Sequence, residues 1–240
     1  MHGDPQPPLD DSPQAVATRH RRTWLVLGAV VVVVALLLAL YNWITEPPPP
    51  PGSGQKLSAR AIAAVMKPLV GRLQAVNASG NTVFAGLAVT IAEGEMVTTC
   101  NNLPVGGALE VVFHDGASHA ESARVNRNAN VCTLKVTTTG RTTAKLRTDE
   151  PVKGESVYVV QMNEAKGTPR LVETKVTNPI GDVNGLMFGI ESKETFVPGA
   201  AVFDTQGRLA GMINYPHQYG DFNVVYSTSR IEKARASLRK

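Results

Sequence analysis

The chain has 240 residues, 43% of them hydrophobic and 18% charged, with a formal net charge of +4. Residues 1–46 hold Asp4, Asp10, Asp11 and Glu46 against Arg19, Arg21 and Arg22, which leaves +5 on the remainder. So mild a charge, with no basic stripe carrying interleaved aromatics, gives no argument for a nucleic-acid partner, and none is expected. The apolar content fits a globular core of one domain or two small joined halves.

Residues 1–23 contain prolines and aspartates and are read as a short disordered tail. The run over residues 24–41 has no charge, and Asn42 is its first strongly polar interruption before Trp43 and Ile44. Such a stretch spans the roughly 30 Å hydrocarbon core. We therefore expect a transmembrane helix over 24–44, with Trp24 at one interface and Tyr41 with Trp43 at the other. Arg19, Arg21 and Arg22 precede it, and the first basic residue after it is Lys56. The positive-inside rule then puts the N-terminal tail in the cytoplasm and the rest of the chain outside. A cleaved signal peptide is the competing reading; the length of the run and the lack of an A-x-A site stand against it. Arg21-Arg22 also has a faint twin-arginine look.

Residues 45–56 read as a linker. Pro47 to Pro51 in polyproline II make a stiff spacer of about 16 Å, and Gly52-Ser53-Gly54 then adds a swivel. A periodic helix is expected over 57–66, stopping before Pro68. From there the period changes to strands, expected over 69–76, 82–91, 96–99, 109–113, 118–124, 131–136, 156–161, 171–176, 186–190, 200–203, 209–214 and 223–226. Asn77-Ala78-Ser79-Gly80-Asn81 and His114-Asp115-Gly116 are hairpin turns between them. A closing helix is expected over 229–238. Many short strands with frequent turns imply an all-β barrel or sandwich, and pattern alone does not choose between them.

Three segments narrow the choice. The first is Val97-Thr98-Thr99-Cys100-Asn101-Asn102-Leu103, and the second runs from Asn126 through Asn130-Val131-Cys132-Thr133-Leu134-Lys135-Val136. The third is Phe196-Val197-Pro198-Gly199-Ala200-Ala201-Val202-Phe203-Asp204, followed by Gln206-Gly207-Arg208-Leu209-Ala210-Gly211-Met212. In order and spacing these resemble the histidine, aspartate and serine segments of trypsin-like, HtrA-type serine peptidases. Gly154-Glu155-Ser156-Val157 and Phe222-Asn223-Val224-Val225 are similar to two further stretches of that family, so the resemblance covers roughly residues 65–233. It implies two six-stranded β-barrels with short flanking helices, a single trypsin-like domain over 57–240, and no room for a PDZ domain.

Registered on the family's motifs, the histidine position is Asn101, the aspartate position Asn130 and the serine position Pro198. Asparagine cannot take a proton near neutral pH, and Asn130 has no charge to stabilise an imidazolium. Proline lacks both the hydroxyl and the backbone N–H that the family uses as an oxyanion donor. The second donor position is Phe196, where the family has glycine. No serine or cysteine lies between Ser192 and Ser227, so no small shift of register restores a nucleophile. The resemblance also places Cys100 and Cys132 in adjacent strands, where it implies a disulfide that an oxidising compartment permits; unrelated core thiols are the other reading. His114, His119 and His217 are read as surface residues, with a two-histidine metal site at His114 and His119 as the alternative. No cofactor and no metal are expected.

The function implied is that of an inactive peptidase relative, held in a bacterial inner membrane by the residue 24–41 helix. Its domain would lie in the periplasm and bind or scaffold a protein or peptide. A structural subunit of an envelope complex and a hydrolase with a relocated site are the alternatives. Candidate binding residues are Phe196, Val197 and Gly199, where the apolar loop either fills the old cleft or offers a docking edge. Tyr215, Tyr219 and Phe222, read as an aromatic loop, are the others.

Overall fold

The computed structural model describes residues 13–45, 49–76, 81–103, 108–126, 129–137, 141–162, 169–182, 185–192, 194–219 and 222–238. The chain divides into a unit ending at Pro48 and a second unit from Pro49 to Lys240.

The first unit holds one helix, α1 (Pro13–Thr45). Its window Leu27–Ile44 has a mean hydropathy of 2.4 and none of it is buried, so by length and composition it is apolar enough to cross a membrane. The expectation of a disordered tail to residue 23 is corrected, because the helix already begins at Pro13. Proline is tolerated in a first helical turn, where its missing N–H has no partner to lose. Ala15, Ala17 and Arg19 then favour continuation.

The second unit is built of strands. Helix α2 (Ala59–Met66) is capped by Ser58, whose hydroxyl accepts the Ala61 N–H at 3.2 Å. Strands β1 (Val70–Val76), β2 (Thr82–Ala92), β3 (Glu95–Thr99), β4 (Ala108–Phe113), β5 (Gly116–Asn126) and β6 (Val131–Val136) follow. They close into a barrel of order β1-β2-β3-β6-β5-β4. Strands β7 (Ser156–Met162), β8 (Pro169–Asp182), β9 (Gly185–Glu191), β10 (Ala201–Asp204), β11 (Leu209–Tyr219) and β12 (Phe222–Ser227) form a second barrel. Its order, β10-β11-β12-β9-β8-β7, is the same cyclic order as the first, and α3 (Thr228–Leu238) ends the chain.

The two barrels share their apolar packing. Leu73, Met96, Val111, Phe113 and Leu134 fill the first barrel. The larger cluster fills the second barrel and reaches Leu87, Val89, Val97 and Val131 on strands of the first. Strand β2 serves both clusters: Ala85 and Ala88 face its own barrel, while Leu87, Val89 and Ile91 face the other. A strand buried on both faces reads as a continuous apolar run, which is why residues 85–91 show no polar alternation. Helix α3 is tied to β3 by a bidentate pair of Arg235 with Glu95 at 3.0 and 2.7 Å.

The swivel expected after the prolines is corrected. Gly52 donates its N–H to the Gln206 carbonyl at 2.9 Å and Leu57 donates to Thr205 at 2.7 Å. Leu57 is buried, and Gly207 leaves the space that its side chain and Pro51 occupy. Residues 49–57 therefore lie along the turn between β10 and β11. Composition reports the intrinsic stiffness of a linker and not the surface that receives it.

Candidate functional site

The catalytic positions implied by the resemblance meet where the barrels join. Asn101 sits in the 3-10 turn after β3, Asn130 immediately before β6, and Pro198 in the turn before β10. Asn130 is buried and has φ 53°, the only positive φ among the described non-glycine residues. Asparagine tolerates this region better than most L-residues because its short amide bonds locally.

The contacts of Asn130 fix the orientation of its amide. Oδ1 accepts the backbone N–H of Cys100 and of Asn101, each at 3.1 Å. Two N–H donors demand the oxygen on that side, so Nδ2 points the other way. There it donates to Oδ1 of Asn214 at 3.0 Å and lies 3.4 Å from the Tyr226 hydroxyl. One side chain thus joins the first barrel to β11 and β12 of the second. The guanidinium of Arg230 stacks 4.4 Å above the Tyr226 ring, and its Nε donates to the Ala129 carbonyl at 3.3 Å. The group is uncharged apart from that buried cation, and the Asn101 side chain is exposed.

The loop carrying Pro198 is bonded at almost every step. The Val197 N–H goes to Oε1 of Gln161 at 3.1 Å, and Nε2 of the same side chain donates to the Thr195 carbonyl at 3.0 Å. The Pro198 carbonyl accepts the Leu87 N–H at 3.0 Å, reaching into the first barrel. Gly199 donates to Ile213 at 3.0 Å, and Ala200 donates to Val197 at 3.1 Å. Gly199 has φ +75°, and a Cβ there would lie 2.1 Å from the Leu87 oxygen and 2.7 Å from Thr98 Oγ1. Phe196 is 1% exposed and Val197 7%. Of the two readings kept open for Phe196, Val197 and Gly199, burial favours cleft filling over a docking edge: the loop is packed inward. Apolar side chains replace a polar loop only by finding apolar neighbours, and the larger cluster supplies them.

Asn101 and Asn130 are thus in direct contact, and Pro198 joins them through Gly199, Ile213 and the adjacent Asn214. An amide at position 101 has no basic nitrogen to accept a proton, and a pyrrolidine ring has no hydroxyl to activate. Gln161, Asn214 and Tyr226 were not singled out from the sequence. The available signal was weak: Gln161 and Asn214 are the polar residues that follow the apolar runs 157–160 and 209–213.

Cys100 and Cys132 are joined in a disulfide, with a Cα–Cα distance of 5.1 Å. It clamps the 3-10 turn onto β6 beside Asn130. The aromatic loop expected over 215–222 is corrected at the backbone level. Strand β11 runs to Tyr219 and β12 begins at Phe222, with Tyr219 opposite Phe222 in register. Residues 214–217 interrupt the pairing, so Pro216 falls where no ladder donor is required. The side chains of Tyr215, Tyr219 and Phe222 lie outside the described residues. Among the described residues no group of His, Cys, Asp and Glu is arranged to hold a metal; His114 is exposed, and the side chains of His119 and His217 lie outside the described residues.

Charged contacts gather instead at the connection between the barrels. Arg147, 5% exposed in its side chain, pairs with Asp149 at 2.8 Å, with Glu155, and with buried Asp204 at 3.9 Å. Burial works against the Arg147 cation, but the bond and charge of Glu155 together with the charges of Asp149 and Asp204 raise its pKa. Burial likewise opposes ionisation of Asp149; its backbone hydrogen bond and the charges of Arg147 and Arg208 win and hold its carboxyl below the usual carboxylate value.

No family model matches the sequence, and no curated protein matches it. Solved structures do resemble the fold. The active form of the Rv3671c protease from M. tuberculosis superposes with a TM-score of 0.66 at 14% identity, covering 81% of this chain and 91% of that one. The HtrA-type protease AlgW, solved with a decapeptide, gives 0.64 at 13% identity over 76% of this chain and 68% of that one. A serine endoprotease from Yersinia pestis gives 0.63 at 15% identity over 75% and 66%. The chain has the trypsin-like serine protease fold.

Proposed function

We propose that this chain is a trypsin-fold module without peptidase activity, held at a membrane by α1 and working by binding a protein or peptide. The observation that carries the reading is the residue at the nucleophile position. Pro198 removes the hydroxyl and an oxyanion donor together, and its carbonyl is spent on Leu87 in the opposite barrel. Loss of one oxyanion donor costs about 10²–10³ in rate, and the amides at 101 and 130 leave no base. AlgW, which shares the fold over 68% of its length, was solved with a decapeptide, and we carry peptide binding over to this chain as part of the proposal. With the 196–200 loop packed inward, we place recognition on the 215–222 arm, which carries Tyr215, Tyr219 and Phe222. We further propose a cytoplasmic N-terminus and a periplasmic barrel unit, from the cations that precede the apolar window.

The test has two parts. Residues 49–240 are exposed to a fluorophosphonate probe and to a peptide-substrate library, and no labelling or cleavage is expected; stoichiometric labelling of any residue ends the proposal. The full chain is then extracted natively and its companions identified, with Tyr219→Asp as the comparison. Recovery of a partner by the parent and its loss in Tyr219→Asp supports the binding reading. A fixed large particle unaffected by Tyr219→Asp favours a structural subunit.

A further inference from the structure

A second feature lies away from Asn101, Asn130 and Pro198 and shares no lining residue with them. Between α2 and the β7–β8 pair is a groove of about 290 Å³. Met66 and Val70 of the α2 side and Val160 and Leu171 of the β7–β8 pair line it, together with the exposed Lys67 and Arg170. Met66, Val70 and Val160 are buried, and Val160 and Leu171 are cross-strand partners, so their side chains stand on one face of the sheet. The volume sits at the lower end of small-molecule sites, roughly 300 Å³ upward.

The lining decides the chemistry of an occupant. It contains no hydroxyl and no carboxamide side chain. Beside the groove, Pro169, Arg170 and Leu171 of β8 pair with β7, and β9 joins β8 only from Val176. A peptide seated in the groove finds no side-chain hydroxyl or carboxamide for the amides it buries, which is costly. A hydrocarbon chain needs none. Arg170 is already paired with Glu194, whereas Lys67 is exposed and has no ion pair among the described residues. An apolar slot ending at an unpaired ammonium is complementary to an acyl chain that ends in an anion.

We propose that this groove binds a medium-chain fatty carboxylate, its chain along Met66, Val70, Val160 and Leu171 and its head group on Lys67. At about 30 Å³ for each methylene-sized group, the groove of about 290 Å³ holds about ten carbons. Each methylene buried on the way to that length tightens binding about fourfold. The proposal is independent of whether the chain is a peptidase.

The experiment titrates residues 49–240, the compact unit that contains both hydrophobic clusters, with hexanoate, octanoate, decanoate and dodecanoate below their micellar concentrations, by calorimetry. Saturable binding that tightens to decanoate and then levels off is expected. Lys67→Gln weakens decanoate about two- to fivefold, the range of an exposed ion pair, and leaves decanol unchanged. Leu171→Trp, filling the groove, weakens both ligands at least tenfold, with near-ultraviolet circular dichroism showing that the fold is retained. If Leu171→Trp does not fold, Lys67→Gln with the decanoate and decanol pair decides the matter. Affinity that keeps rising past dodecanoate, or is indifferent to Lys67→Gln, reveals surfactant adsorption and overturns the proposal. Displacement of decanoate by a short peptide with an apolar C-terminal residue overturns the assignment to an acyl chain.

Discussion

Replacing Gly199 by alanine tests whether the 196–200 loop is seated in the opposite barrel. The new Cβ would stand 2.1 Å from the Leu87 oxygen and 2.7 Å from Thr98 Oγ1, so the Leu87 carbonyl must move. Two hydrogen bonds depend on the Leu87 backbone: Thr98 Oγ1 to the Leu87 oxygen at 2.7 Å, and the Leu87 N–H to the Pro198 carbonyl at 3.0 Å. The left-handed conformation costs an L-residue about 1–2 kcal/mol, and each disrupted buried bond adds about 1 kcal/mol or more. The expected loss is about 3–5 kcal/mol, or roughly 6–20 °C in Tm for a unit of this size. Gly94→Ala is the control. Its φ is +71°, but the nearest atom to its Cβ is the Val136 oxygen at 3.7 Å. It carries the backbone cost alone, about 1–2 kcal/mol. Urea unfolding of both variants, followed by circular dichroism, separates the terms. Equal losses at the two positions would refute the seated loop, because the contact with Leu87 would then carry no energy.

Three further outcomes follow from the same packing. Phe196→Ala empties a fully buried site and should cost about 3–5 kcal/mol in the same unfolding assay; a change below 1 kcal/mol means the ring is at the surface. Removing the disulfide with Cys100→Ala and Cys132→Ala opens a closure of 32 residues, worth about 3–4 kcal/mol on the chain-entropy account; mass analysis finding two free thiols in oxidised, non-reduced protein contradicts the bond itself. Asp149 should titrate below the ordinary carboxylate value near 3.9, so its stabilising share is complete above that value and fades as pH falls through the lower folded midpoint. Replacing Arg208, which pairs with Asp149 at 3.0 Å, by glutamine should move that midpoint upward in a carboxyl-carbon NMR titration, and an unchanged midpoint removes the pairing.

How much of this was legible in advance depended on the range of the interaction. Strand β6 was expected at residues 131–136 and occupies Val131–Val136, because its side chains and flanking turn are read within a few residues. The twelve strands were expected from local apolar runs and the turns between them, 118–124 from its turn alone, and the resemblance of three short motifs brought Asn101, Asn130 and Pro198 together as one expected site. The identities of Asn101, Asn130 and Pro198 are read directly from the sequence; that they stand at catalytic positions is what the resemblance implies. The rest needed partners far along the chain. Asn130 meets Asn214 across 84 positions, and Gln161 holds Val197 across 36. Whether Phe196 and Val197 fill a cleft or present an edge turns on the walls that receive them, and those belong to both barrels. The docking of residues 49–57 onto the β10–β11 turn, and the continuation of β11 past Pro216 opposite β12, have the same cause. A local pattern states what a segment tolerates, whereas the surface that closes over it is assembled from distant strands and exists only once both barrels have formed.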